Sequence, residues 1–289
     1  MRSEAVDAVA GAEEGTVDAH IHLTSWWPGR PGSFHRPDLA YDWNGLRGEL
    51  DAARASHAIA IQMWNAPDAA SAIEEGHRFA EESEGRLLPV VAASPLWPEA
   101  QLRDAVLRWR AEPRLSGIKL YPGYEPFYPT DPRLGPVLDF AADRGVPVLI
   151  HQGDTLLADG LVKFARPIEV DELAVARRDV TFVLCHLGNP WVEETAEVVY
   201  KNENVYTDTS GLVGPPGQTF FAAQVRRAGR RLANALDAIG HADRVLFGSD
   251  WPLESVETAL SVLAGVDLPT SDRRKILREN GRRLFRVPP

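Results

Sequence analysis

Cysteine is almost absent from this chain: Cys185 stands alone among 289 residues. A single thiol excludes an intramolecular disulfide and a zinc cage built from cysteines. Positive charge is short as well, with 31 Lys and Arg against 41 Asp and Glu, a formal net charge of -10. Binding a phosphate backbone needs clustered positive charge, so no nucleic-acid partner is expected. The local basic cluster of Arg226, Arg227, Arg230 and Arg231 has the spacing of a solvated helix face. No run approaches the roughly 18 apolar residues of a membrane span. Met1 to Gly15, dotted with Glu4, Asp7, Glu13 and Glu14, lacks the apolar stretch of a secretory leader. These absences predict a soluble, cytoplasmic protein with no membrane partner, residues 1–15 forming a short flexible N-terminus.

Phosphate-binding and nucleophile motifs are missing too. Neither GxxxxGK[ST] nor GxSxG occurs, and Leu23-Thr24-Ser25-Trp26-Trp27, after the first apolar run, contains no glycine. No long or biased linker and no low-complexity segment divides the chain.

What is present is an alternation. Apolar, β-branched-rich runs recur at Thr16–His22, Ala58–Met63, Leu87–Ala93, Gly117–Tyr121, Pro147–His151, Thr181–His186, Asn204–Asp208 and Arg244–Asp250. Runs of this kind read as parallel strands, which are covered on both faces. Segments of helical character lie between them. Asp131 and Pro132 read as a cap and first helical position, with Gly145 closing that helix. Pro98 opens another, in which Leu102, Val106 and Trp109 share a face. Strands alternating with helices fit a closed barrel or an open doubly wound sheet, and the open sheet would want a Gly-rich turn after its first strand. The sequence therefore predicts an α/β fold, a (β/α)8 TIM barrel, as a single domain over residues 16–289.

In such a barrel the C-terminal strand ends converge on the face that carries active sites. His20 and His22 end the first predicted strand, His151 the fifth, His186 the sixth and Asp250 the eighth. Residues two apart on a strand face the same way, so His20 and His22 are expected to face the axis, with Ala19 and Ile21 facing the helices. Imidazole and carboxylate donors suit zinc, manganese or iron. Each residue has an ordinary reading when taken alone. A His-x-His pair can be two polar residues near a surface, His151 or His186 a hydrogen-bonded core histidine, and Asp250 a helix cap. Their shared placement at strand ends is what favours a metal. His57 and His77 are expected in helical segments, His241 after a helix end, and His35 in a solvated loop.

The stretches Val17–His22, Gly117–Pro122, Pro147–His151, His186–Trp191, Asn204–Gly211 and Arg244–Pro252 resemble the amidohydrolase superfamily. The closer likeness is to its amidohydrolase-related branch of metal-dependent TIM-barrel hydrolases and decarboxylases. The pieces run in the family's order across almost the whole chain. The resemblance implies metal ligation by His20, His22, His151 and Asp250. It also implies that His186 either holds a second metal or stands beside the first as an electrophile and proton donor.

From these residues the sequence favours hydrolysis of an amide, lactone or related C–N or C–O bond. Water on a divalent ion, zinc before manganese or iron, would ionise near neutral pH. Asp250 would shuttle its proton and His186 would polarise the carbonyl. The alternative is non-oxidative decarboxylation of an unsaturated or aromatic carboxylic acid with the same donors, hydration of an unsaturated acid being a third option. A barrel that has lost catalysis and only binds is the non-enzyme reading. Lys119 lies in a Lys119-Leu120-Tyr121-Pro122 string similar to the one in which dihydroorotases carry a carbamylated lysine. One ion is favoured, with Lys119 on the substrate; two ions would follow if Lys119 were carbamylated. Trp26, Tyr124, Trp191 and Trp251 are candidates to line an aromatic mouth for a small-molecule substrate, although each can equally pack loop against loop. Cys185 is expected to point outward as packing. A homodimer is expected only on general grounds.

Overall fold

The computed structural model describes residues 15–25, 36, 39–214 and 220–288. Eight strands follow one another around a single parallel sheet: β1 (Thr16–Ile21), β2 (Ala55–Ile61), β3 (Leu87–Ala92), β4 (Gly117–Leu120), β5 (Val148–Ile150), β6 (Phe182–Leu184), β7 (Val205–Asp208) and β8 (Val245–Leu246). The sheet closes on itself. Ala19 N donates to Phe247 O at 2.8 Å and Asp250 N to His20 O at 2.8 Å, carrying β1 onto the end of β8. The predicted TIM barrel is the fold observed.

A helix follows each strand: α1 (Trp43–Ala52), α2 (Ala69–Glu82), α3 (Glu99–Arg110), α4 (Gly135–Arg144), α5 (Glu169–Ala176), α6 (Val192–Lys201), α7 (Phe221–Ile239) and α8 (Val256–Ala264). Local chemistry sets several of their starts. Asp42, Asp68 and Ser255 each accept a backbone N–H of the first turn. Asp131 caps the short Pro132–Leu134 turn that leads into α4, and Gly145 ends α4 in the left-handed region at φ 60°. In α3 the buried face is Leu102, Ala105, Val106 and Trp109, as its spacing predicts. His57 lies within β2, not in a helix, because that strand begins earlier than its apolar run suggests.

Two apolar layers result. Ile118, Leu120, Val148, Ile150, Phe182 and Leu184 face the helices. Val17 and Ala19, with Ile59, Ile61, Val90, Leu149, Val183, Cys185 and Leu246, form the inner layer, on which Phe285 and Val287 pack. Ala19 therefore faces inward, against expectation. Its neighbours show why: Asp18 pairs with Ala58 and Ile21 with Ala60, so three steps of β1 oppose two of β2. This β-bulge places one extra residue in the strand and re-aims the side chains after it. Among the described residues, no helix is long and apolar enough to cross a membrane.

Candidate metal centre

His20 and His22, at the end of β1, meet Asp250 from the turn after β8, and their donor atoms all lie within 4.8 Å of one another. The outer nitrogens decide what the inner ones can do. His22 Nδ1 is 3.0 Å from the Ile61 carbonyl, which can only accept, so Nδ1 carries a proton and, in the neutral ring, Nε2 is left with a lone pair. His20 Nδ1 is 2.9 Å from Asp208 Oδ2, with the same consequence. With both rings neutral, the two Nε2 atoms face each other at 3.3 Å with no proton between them. Asp250 Oδ1 lies 3.2 Å from His22 Nε2 and 3.6 Å from His20 Nε2. That oxygen is buried and makes no hydrogen bond of sound geometry. Electron pairs crowded into a buried space repel one another unless a cation lies among them, and a divalent ion fits this donor set.

The surrounding charges agree. Burial works to raise the Asp250 carboxyl, yet His186, His22 and His20 hold it well below the usual carboxylate range. Asp208, opposed by burial in the same way, is also held low, chiefly by His20. His20 is pushed down to about 3 by burial and by the charge of Lys119. Burial also lowers His186 and, more strongly, His151. Near neutral pH these three imidazoles are neutral and both carboxylates ionised, the protonation state that binds a cation without first losing protons.

His186 follows β6 at φ 64°, and Asp250 follows β8 at φ 66°. Non-glycine residues in the left-handed region cost on the order of 1–2 kcal/mol and need support. His186 N donates to Asp208 Oδ1 at 2.9 Å, and Asp250 N to His20 O. The Ser210 hydroxyl donates to Asp208 Oδ1 at 2.5 Å and lies 2.8 Å from His186 Nδ1. The His186 ring centroid lies 4.7 Å from that of His20. Glycine is required beside this cluster: a Cβ on Gly248 would sit 2.9 Å from His20 Cβ.

His151 stands at the edge of the site and outside the close donor group. Its Nε2 pairs with the Asp154 carbonyl at 2.9 Å, so the loop after β5 holds that nitrogen, and its ring lies 5.0 Å from His186. Lys119, on β4, is fully buried; its Nζ lies 2.9 Å from Cys185 Sγ and 3.4 Å from His20 Nε2. Cys185 thus faces the barrel interior, which corrects its expected outward direction. The expectation placed Cys185 and His186 on opposite faces of a regular strand, but β6 ends at Leu184 and the backbone turns left-handed at His186. Cys185, His20 and His186 form a second, softer set of donors within 4.8 Å of one another.

The aromatic candidates divide. Tyr124 stacks on Trp64 at 4.5 Å and lies 4.7 Å from His151. Its hydroxyl accepts Leu156 N at 3.1 Å. Trp191 is half-buried and carries the Arg166 guanidinium 5.0 Å from its ring. Trp251 is correctly placed in sequence but not in space. It is fully buried and its indole N–H reaches Glu49 Oε1 at 3.3 Å on α1, so it packs against the helices and does not line the mouth. Trp26 and His35 lie outside the described residues. Asp208 was not picked out from sequence, although its position at the end of β7 is the same signal that identified the other strand-end residues.

The profile of the amidohydrolase family matches residues 17–287. The chain belongs to the amidohydrolase family. This amidohydrolase is 28% identical over 214 residues to gamma-resorcylate decarboxylase from Rhizobium radiobacter, covering 67% of this chain and 54% of the relative. The chain thus spans about half the length of that relative. It is 27% identical over 288 residues to the gamma-resorcylate decarboxylase of Rhizobium sp. strain MTP-10005, covering 86% and 76%. Among solved structures, a dihydroxybenzoic acid decarboxylase from Polaromonas sp. JS666, with bound manganese and the inhibitor 2-nitroresorcinol, superposes with a TM-score of 0.64. It shares 18% identity over 95% of this chain and 98% of that one. These matches overturn the hydrolytic expectation, because the curated relatives aligned with this amidohydrolase are decarboxylases. The same His and Asp donors serve either chemistry, so the residues alone had no means of separating the two.

Proposed function

We propose that this amidohydrolase catalyses the metal-dependent, non-oxidative decarboxylation of a hydroxylated aromatic carboxylic acid. The observation that carries this reading is the meeting of His20 Nε2, His22 Nε2 and Asp250 Oδ1 close to the buried amine of Lys119. That arrangement suits a cation and an organic anion together. The decarboxylase relatives supply the reaction class, and the manganese in the Polaromonas structure supports manganese over zinc. One ion would be held by His20, His22 and Asp250, with His151 as the fourth candidate ligand. Lys119, whose amine is hydrogen-bonded to Cys185, is assigned to the substrate carboxylate in preference to a bridge between two ions.

In the overall change an arenecarboxylate plus a proton gives the arene plus carbon dioxide. The carbon–carbon bond to the carboxyl breaks, its electron pair stays on the ring carbon, and a proton is added there. A divalent ion bound there would supply positive charge to attract the substrate carboxylate and stabilise the developing oxyanion. Asp250, held ionised, would accept a proton from the neighbouring ring hydroxyl and pass it to the ring carbon; loss of carbon dioxide then returns the electron pair to the ring oxygen, and the proton consumed overall, taken from solvent, restores the hydroxyl. His186 is fixed through Nδ1 by Ser210, leaving Nε2 to orient the substrate hydroxyl. Lys119 draws the carboxylate in, and Tyr124, set between Trp64 and His151, flanks the ring.

The test is carbon dioxide release from carboxyl-labelled 2,6-dihydroxybenzoate by manganese-loaded protein. Labelled carbon dioxide and resorcinol are expected in equal amounts, with Asp250→Asn lowering turnover at least a hundredfold (about 2.7 kcal/mol in barrier). No carbon dioxide from a panel of hydroxybenzoates would overturn the proposal.

A further inference from the structure

Lys119 has surroundings that do not balance a charge. It has no exposed surface, and its Nζ meets the Cys185 thiol at 2.9 Å, His20 Nε2 at 3.4 Å and the Tyr121 ring at 5.2 Å. Among the described residues no carboxylate forms an ion pair with it. The two carboxylates of the site are turned to other partners: Asp208 to His20, His186 and Ser210, and Asp250 to His22. An ammonium buried without an anion against it costs several kcal/mol, roughly, and a divalent cation beside it would leave Asp208 and Asp250 one negative charge short of balancing the two. His20 Nε2 is also the atom that the cation needs. Its two claimants are therefore both positive.

We infer that Lys119 couples the two ligands of this site: its buried ammonium opposes a divalent cation at His20 until an acidic substrate neutralises it, so that cation and anion bind cooperatively. The inference rests on the carboxylate substrate proposed above. It adds that the affinity for metal is set below what the donor group alone would give, and that the missing increment arrives with the anion. Even under water-like screening, a unit charge on the order of 5 Å from a divalent ion changes its binding constant by about tenfold. Linkage requires the effect to be reciprocal: whatever factor the anion adds to metal binding, the metal adds to anion binding.

The experiment measures Mn2+ binding by calorimetry in wild type, Lys119→Met and Lys119→Arg, each with and without benzoate. Lys119→Met is expected to bind Mn2+ alone about tenfold more tightly than wild type. The gain in Mn2+ affinity on adding benzoate is expected to shrink by a similar factor. Lys119→Arg, which keeps the charge, is expected to follow wild type. Should Lys119→Met fail to fold, Lys119→Gln takes its place. Unchanged Mn2+ affinity in the neutral variants overturns the inference, as does absence of a benzoate effect in wild type. Weaker Mn2+ binding overturns it too, and would make Lys119 a carbamylated ligand. None of these readouts depends on turnover. A protein that releases no carbon dioxide but shows the Mn2+ shift loses only the proposed reaction, and one that turns over without the shift loses only the coupling.

Discussion

Asp208→Asn exchanges one carboxylate oxygen for an amide nitrogen at nearly constant shape, in a side chain with no exposed surface. Asp208 accepts from His20 Nδ1 at 2.9 Å, His186 N at 2.9 Å, Ser210 N at 3.1 Å and the Ser210 hydroxyl at 2.5 Å. Three of these reach Oδ1 and only His20 reaches Oδ2, so asparagine would keep its oxygen at the first position and place its NH2 against His20. Donor then faces donor. His20 can relieve this by moving its proton to Nε2, but Nε2 is the atom that should present a lone pair to the cation. Loss of an outer partner of this kind lowers metal affinity by about 10–100-fold, or about 1.4–2.8 kcal/mol. The weakened network should lower stability by about 1–3 kcal/mol. Calorimetric titration with Mn2+ and thermal melts of the metal-stripped protein measure the two effects separately. A lower melting temperature with unchanged Mn2+ affinity would refute the tautomer argument and leave Asp208 a purely structural acceptor.

Other perturbations test neighbouring parts of the account. Gly248→Ala should push His20 aside, since the added carbon would lie 2.9 Å from His20 Cβ and 3.1 Å from Ser210 Cβ; a loss of about 1–3 kcal/mol in stability is expected from melts, together with weaker Mn2+ binding. Metal-stripped protein should lose stability as pH falls below about 6.5. The unfolded His20 takes up a proton there, while the folded one, pushed down to about 3 by burial and Lys119, does not. A flat stability profile between pH 6.5 and 5 would contradict this. Glu254 has the opposite sign: burial raises it to about 8, so the folded state holds a proton that the unfolded state gives up, and stability should fall as pH rises from about 4.5 to 8. Glu254→Gln should flatten that alkaline slope in melts. Trp64→Ala should raise KM for an aromatic acid several-fold with little change in kcat, because Trp64 backs the Tyr124 ring at 4.5 Å and touches no reacting group; equal losses in both constants would argue against it.

The barrel was legible because its strands are buried on both faces and stand out as apolar runs, and because glycine-rich nucleotide turns were missing. That His20, His22 and Asp250 meet was legible because they share the ends of strands. What escaped notice lies where strand periodicity stops. The bulge in β1 turns Ala19 inward, and the left-handed backbone at His186 leaves Cys185 facing Lys119. Trp251, one residue past Asp250, packs against α1 by the same loss of alternation. Asp208 looks like an ordinary strand-end acid until its oxygens are seen holding His20 and His186. The reaction class was never encoded in the ligands alone, since the donors that hold a water on an ion also hold a substrate's oxygens.

The most direct measurement is anomalous scattering at the manganese edge from crystals grown with Mn2+. One peak in contact with His20 Nε2, His22 Nε2 and Asp250 Oδ1 is the expected result. Absence of a peak there, or a peak between Cys185 and His186 in its place, would contradict the assignment on which the chemistry depends.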